Sequence, residues 1–327
     1  MMNKKEKKEK QENPQSKLDA LEKEFGLKKA SSLKQVENIR TGIYAFDYVL
    51  DNGLKLAEGG HKIELYGRES SGKTTFALYT VKRYQELGKT CVWVVSESFR
   101  ENWAKQLGVD TDKLLLAYPK TVEDAGEKLL QLIPKVDLIV VDSVASLIPE
   151  AELERAINEP TRGGSAKAYS LICRKIYQII PNLQTTMIFI NQIREKMGVI
   201  YGNPETTPGG KALKHMYDTR IEFRAGKSID IGTKEKKERI GIEINLFGKK
   251  NKLGVPQRKA VVDFYFTGKV DNRKSLLFAG LKYSIITLAG KTYSYNDKKA
   301  VGKDNFVASL SDKEWKKVSE EIWKRMK

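Results

Sequence analysis

The stretch Gly67, Arg68, Glu69, Ser70, Ser71, Gly72, Lys73, Thr74 constrains this chain more than any other. It fits G-x-x-x-x-G-K-[ST] at every fixed position, and that pattern belongs in the turn between a buried strand and the helix that follows it. Both neighbours are present. Lys62-Ile-Glu-Leu-Tyr66 alternates polar and apolar residues as a strand does, and Lys73 to Leu87 carries a helical pattern closed by Gly88. The alternation continues with strands at Thr90 to Val95, Asp137 to Val141 and Thr186 to Ile190, and helices at Val122 to Leu132 and Ala166 to Ile180. The run Leu138-Ile-Val-Val141 is apolar throughout, as expected of a strand covered on both faces. Strands alternating with helices predict an α/β fold around a mostly parallel sheet.

Beyond Arg220 the pattern turns strand-rich. Arg220 to Phe223, Gly241 to Phe247 and Ala260 to Phe266 read as antiparallel strands extending the sheet. After Asp271, two or three helices and the ribbon-like Thr292-Tyr-Ser-Tyr-Asn296 make a small α+β module. Ahead of the core, Leu18, Leu21 and Phe25 share one face of a short helix stopped by Gly26. The first 15 residues are a Lys/Glu/Gln-rich tract expected to be disordered. The expected organisation is a tail with a helix over 1–38, a core over 39–270 and a final module over 271–327.

Composition excludes several classes. Among 327 residues there are two cysteines, Cys91 and Cys173, and two histidines, His61 and His215, too few for a disulfide scaffold or a Cys- or His-built metal site. No apolar run approaches the ~20 residues that span a bilayer, and the charged start has no apolar segment behind it, so a soluble cytoplasmic protein is expected. The net charge of +17 is unevenly spread. Residues 31–210 hold 22 basic and 22 acidic groups, whereas residues 211–270 hold 15 and 7. Residues 271–327 hold 13 and 7. A basic final third points to a polyanion partner or to a solvated lysine surface.

The chemistry of the glycine-rich stretch is that of a phosphate cradle. Glycines let backbone N–H groups turn inward, Lys73 reaches the β/γ oxygens, Thr74 offers a hydroxyl to Mg²⁺, and the helix directs its positive end at the anion. ATP and Mg²⁺ are the cofactors this implies, with Thr75 closing the cradle. Asp142 ends an apolar strand, so it lies on the rim where parallel sheets bind ligands and can position Mg²⁺. Glu97 follows the strand ending at Val95 and sits on the same rim, where a carboxylate can polarise an attacking water. Gln192 follows the next strand and can touch a γ-phosphate without adding charge. Taken alone, Glu97 reads equally as a surface loop residue and Gln192 as part of a polar turn.

Four stretches together resemble the bacterial and phage RecA recombinases: Tyr66-Gly-Arg-Glu-Ser-Ser-Gly-Lys-Thr-Thr75, Val140-Val-Asp-Ser-Val-Ala145, Gly248-Lys-Lys-Asn-Lys252 and, above all, Asn191-Gln-Ile-Arg-Glu-Lys-Met-Gly-Val-Ile-Tyr-Gly-Asn-Pro-Glu-Thr-Thr-Pro-Gly-Gly-Lys-Ala-Leu-Lys214. The last is similar to the family's second DNA-binding loop. The resemblance runs from the helix near Leu18 to Tyr295 and implies a RecA-like ATPase core. It also implies a helical filament of the protein on single-stranded DNA, pairing with double-stranded DNA, and strand exchange in DNA repair. Cleavage of a LexA-like repressor in the SOS response is a further family property. By the same resemblance Glu97 is the catalytic glutamate and Gln192 the γ-phosphate sensor, while Lys250 and Lys252 reach a neighbouring subunit's ATP. Glu101 and Trp103 fall within one residue of the family's adenine-contacting acid and aromatic.

Arg194 to Gly210 is a 17-residue stretch with little periodicity, a length usual for functional loops. In it Arg194 and Lys196 supply phosphate contacts, and Ile200 and Tyr201 can wedge or stack between bases. Gly209 and Gly210 permit close backbone approach. A first loop carries Arg155, Arg162, Gly163 and Gly164, and Arg174 after it matches a family DNA contact. The N-terminal helix would dock on the adjacent protomer. Two departures stand out. Pro208 replaces a more usual Thr, and the chain ends Trp-Lys-Arg-Met-Lys327 where many members carry a restraining acidic tail, as expected of a phage, mobile-element or reduced-genome member. Two other readings stay open: a ring-forming RecA-fold motor, and a nucleotide-gated scaffold that binds DNA without needing turnover.

Overall fold

The computed structural model describes residues 14–33, 36–153, 164–195, 204–233 and 236–326. The chain divides into two compact units, residues 1–35 and 36–327. In the first, the helix Pro14–Phe25 is ended by Gly26 at φ +62°, as the sequence indicated. Lys29 folds back to Asp19 at 2.5 Å, and Leu18, Phe25 and Leu27 are all more than half exposed.

The second unit is built on a nine-stranded sheet. From one edge the strands run Val270–Asp271, Lys259–Tyr265, Lys236–Asn251, Thr219–Thr233, His61–Gly67, Thr186–Gln192, Leu138–Asp142, Cys91–Val95 and Leu114–Ala117. The six strands from Thr219–Thr233 to Leu114–Ala117 pair in parallel, and the remainder are antiparallel. This is the expected α/β arrangement with an antiparallel extension. One face packs Phe46, Phe76, Trp93 and Phe223 into a buried cluster, and the other packs Ile172, Phe189 and Tyr217. Phe76 meets Phe46 and Phe223 edge-on, so aromatic contacts seat the helix Lys73–Glu86 against the helix Tyr44–Val49 and the strand Thr219–Thr233.

Two features of the sheet go beyond the sequence pattern. Lys62 and Glu64, the polar positions of the alternating strand, are both buried. Parallel strands are covered on both faces, so these charges are kept only by partners: Lys62 Nζ meets Asp218 at 2.8 Å, and Glu64 meets Arg220. The hairpin Thr219–Thr233 with Lys236–Asn251 is also much longer than the apolar pattern indicated. Its pairing with the sheet stops at Phe223 opposite Gly67. Beyond it most described residues of the ribbon are exposed, Ile231 among them, so the ribbon adds little to the core.

After Asp271 come helices Arg273–Lys282, Lys303–Ser309 and Asp312–Arg325 and a three-stranded sheet formed by Thr287–Ala289, Thr292–Tyr295 and Lys298–Val301. They share with Tyr44 a buried cluster that includes Leu277, Phe306, Trp315 and Ile322. Ser311 and Glu314 form a reciprocal cap that fixes the last helix's start. No described helix is long and apolar enough to cross a membrane.

Candidate nucleotide and nucleic-acid site

Register places the candidate residues on one rim. Gly67 lies opposite Gln192, Asp142 opposite Ile190, and Val95 opposite Asp142. The C-terminal ends of four adjacent strands therefore present the glycine-rich turn, Gln192, Asp142 and Glu97 together, where open parallel sheets bind ligands.

The turn is held by its own side chains. Gly72 adopts φ +93° to start the helix, and a Cβ there would strike Ile244 at 2.6 Å. Gly67 has no room either, with the Phe223 carbonyl 2.2 Å from a would-be Cβ. Ser70 takes φ +55°. The Ser71 hydroxyl donates to the Arg68 carbonyl at 2.7 Å. Lys73 is buried, and its ammonium donates to the Gly67 and Arg68 carbonyls at 3.1 and 2.7 Å. Burial pulls its pKa below the usual lysine value, opposed by the charges of Asp142, Glu97 and Glu69. An incoming polyphosphate would replace those carbonyl partners with anionic oxygens. The side chain of Arg68 is mostly exposed and reaches Glu205 at 3.9 Å.

Thr74 Oγ1 donates to Asp142 Oδ2 at 3.1 Å. Burial pushes the Asp142 carboxyl up to about 6, the Thr74 bond working against the rise and the Glu97 charge adding to it. These two oxygens suit Mg²⁺, a hard cation that takes one or two protein oxygens and completes its shell with phosphate and water. No cluster of three or more His, Cys, Asp or Glu that could hold a metal occurs among the described residues.

Glu97 is wired across the rim. Its Oε1 accepts from Ser143 Oγ at 2.7 Å, Ser146 Oγ at 2.5 Å and Gln192 Nε2 at 3.3 Å. The carboxylate and the amide, 95 residues apart in sequence, are thus in direct contact. Ser143 and Ser146 escaped the sequence reading, because a Ser after a strand carries no signal by itself.

Trp103 lies beside the turn, with Nε1 3.3 Å from Thr75 Oγ1 and its ring against Gly268. Glu101 instead pairs with Lys105 at 2.6 Å. The two border a cleft of about 520 Å³ with Arg100, Asn102 and Gln106. Lys250 and Lys252 are elsewhere. Lys250 pairs in register with Arg220, which sits opposite Glu64, three residues below the rim at Gly67. The lysine amines donate to the Lys214 and His215 carbonyls near the end of the helix Gly210–Met216. Burial and the neighbouring Lys252 lower the Lys250 pKa to about 8.

Of the nucleic-acid candidates, Arg155, Arg162, Gly163, Lys196, Ile200 and Tyr201 lie outside the described residues. Gly164 opens the helix Gly164–Ile179, and Arg174 is exposed in its middle. Arg194 is exposed in a short strand, Arg194–Glu195, paired with Glu205–Thr206. The stretch read as a plain loop is therefore closed at its base by two antiparallel pairs. Gly209 and Gly210 have φ of +90° and +76°, and a Cβ on Gly209 would meet Leu213 at 2.2 Å. Their backbone turn requires glycine irrespective of any ligand.

The family model for the RecA N-terminal domain matches residues 14–271. The chain belongs to the RecA family. It is 39% identical over 294 residues to the protein RecA of Mycoplasma genitalium, covering 88% of this chain and 84% of that one. The protein RecA of Oceanobacillus iheyensis is 38% identical over 308 residues, 91% and 86% of the two chains. That of Thermus thermophilus is 38% identical over 306 residues, 90% and 88%. RecA proteins are DNA-dependent ATPases of recombination and repair that bind DNA and self-associate, and membership makes this chain an ATPase of that kind.

Proposed function

We propose that this protein assembles as a helical filament on single-stranded DNA, pairs that strand with homologous double-stranded DNA and exchanges strands, using ATP with Mg²⁺. The observation that carries the reading is the Glu97–Gln192 contact. It links a carboxylate suited to orienting the attacking water with the residue that begins the nucleic-acid loop. In this reading the backbone of Gly67 to Gly72 and the side chains of Lys73 and Thr75 hold the phosphates, and Trp103 lies along the base. Thr74 and Asp142 hold Mg²⁺, which when bound neutralises charge on the phosphate oxygens. Glu97 orients and deprotonates water, and Gln192 leaves Glu97 for the γ-phosphate, reshaping the loop behind it.

Lys250 and Lys252 lie off this chain's own rim, which fits action on a neighbour's ATP, with transition-state charge stabilised in trans as an arginine finger does. Head-to-tail contacts that do not close give open helices, and the exposed apolar face of the helix Pro14–Phe25 supplies one such contact. Arg155, Arg162, Gly163, Gly164, Arg174, Arg194, Lys196, Ile200, Tyr201, Gly209 and Gly210 form the strand-gripping surface, and the final module (271–327) meets duplex. The protein acts in the cytoplasm, and its filament promotes self-cleavage of a LexA-like repressor. Strand exchange between a circular single strand and a linear homologous duplex tests the reading. Joint molecules should form with ATP and be absent for Lys73→Ala. Exchange unaffected by that change, or none with the unaltered protein, would contradict it.

A further inference from the structure

Glu64 is fully buried on the strand that leads into the phosphate turn, three residues before Gly67. Its two oxygens go in different directions. Oε1 accepts from Asn191 Nδ2 at 2.9 Å, and Oε2 accepts from Arg220 Nε at 2.5 Å. Asn191 is itself fully buried, and its Oδ1 takes the backbone N–H of Gln192 at 3.0 Å. Its Nδ2 also donates to the Pro208 carbonyl at 3.2 Å. Arg220 donates to Thr207 Oγ1 at 3.3 Å and lies 4.8 Å over the Tyr66 ring. One carboxylate thus fastens both ends of the 192–208 stretch, its entry through Asn191 and its exit through Arg220 and Thr207. It does so from the strand that carries the nucleotide cradle. A buried charge is costly unless fully partnered, and an apolar residue would fill the same space without that cost.

We propose that Glu64 is a positioning residue that couples nucleotide state to the grip on single-stranded DNA. It anchors the frame of the loop so that movement of Gln192 is passed to the loop rather than dissipated at its ends. This rests on the nucleotide and DNA roles given above. Coupling between two sites is reciprocal and typically amounts to about 5–150-fold in affinity.

The test compares the unaltered protein with Glu64→Gln, Thr207→Val and the double variant Glu64→Gln/Arg220→Gln. The probe is a fluorescent oligo-dT, titrated with and without a non-hydrolysable ATP analogue, and the readout is the ratio of the two affinities. Glu64→Gln should lower that ratio at least about fivefold, with analogue affinity in the absence of DNA unchanged within about twofold. Thr207→Val cuts the Arg220–Thr207 bond at the exit, leaves the Asn191–Pro208 bond and the buried pair, and should lower the ratio by about two- to tenfold, the worth of one hydrogen bond. The double variant removes the orphaned cation and should regain thermal stability lost in Glu64→Gln, but not the ratio. Retention of the ratio by Glu64→Gln or by Thr207→Val would overturn the proposal. So would its recovery in the double variant, which would make the carboxylate a matter of charge balance. A ratio of one in the unaltered protein would instead overturn the underlying reading of the site, and the coupling role with it.

Discussion

Replacing Glu97 by Gln separates chemistry from binding more cleanly than any other change at the rim. The amide keeps an acceptor oxygen for Ser143, Ser146 and Gln192, which now approach at 2.7, 2.5 and 3.3 Å, so the local geometry has reason to persist. What is lost is basicity and one negative charge. A positioned general base contributes about 10²–10⁴-fold, equivalent to roughly 3–5 kcal/mol of barrier at 1.36 kcal/mol per factor of ten. DNA-stimulated phosphate release should fall by that factor. Nucleotide affinity should stay within about threefold, because the phosphate-side partners of Lys73 are the Gly67 and Arg68 carbonyls and Glu97 is not among them. A second readout follows from the charge. Glu97 is one cause of the raised Asp142 pKa, so its removal should move the acid limit of Mg²⁺-nucleotide binding to lower pH. Steady-state phosphate release and a fluorescent-nucleotide titration over pH measure both effects. Parallel loss of affinity and turnover would refute the role in catalysis, as would turnover retained within tenfold.

Asp142, pushed up to about 6, should itself make Mg²⁺-dependent nucleotide affinity level above pH 7 and weaker by about tenfold per unit well below pH 6, because the protonated acid cannot ligate the ion. Isothermal titration at several pH values measures this, and affinity flat down to pH 5 would count against Asp142 as a ligand. Lys250→Ala should reduce ATP-dependent assembly, read by light scattering, by tenfold or more while leaving nucleotide binding to protomers within about twofold, since its amine serves the Lys214 and His215 carbonyls rather than this chain's turn. Equal losses would argue against action in trans. Affinity for oligo-dT should fall with salt as log–log slope of about −0.7 per phosphate neutralised, and Arg194→Ala should reduce the slope by about that amount. An unchanged slope would remove Arg194 from the contact surface.

The rim was legible because its signals are local. A glycine-rich turn between strand and helix, and a polar residue at or just past the end of each apolar strand, put Lys73, Thr74, Glu97, Asp142 and Gln192 at the same end of one sheet. The strand order brings Glu97 and Gln192 close enough to bond, and no spacing in the sequence states that order. Glu64 carried no signal in the sequence for a physical reason. Period-two alternation implies a wet face, but a central parallel strand has none, and the partners that make burial of Glu64 tolerable come from positions 191 and 220. The outer hairpin was read too short, because its mostly exposed extension beyond Phe223 is rich in charged and small residues. The resemblance assigned Lys250 and Lys252 to a neighbour's ATP, and the register with Arg220 sets them away from this chain's own cradle.

The central claim is that nucleotide bound at this rim makes the protein assemble on a single strand and that the strand in turn speeds hydrolysis. Electron microscopy with a non-hydrolysable ATP analogue, paired with ATPase rates with and without single-stranded DNA, tests both halves on one preparation. Extended helical filaments and hydrolysis stimulated by the strand are the expected result. Closed rings with turnover indifferent to DNA would contradict the account.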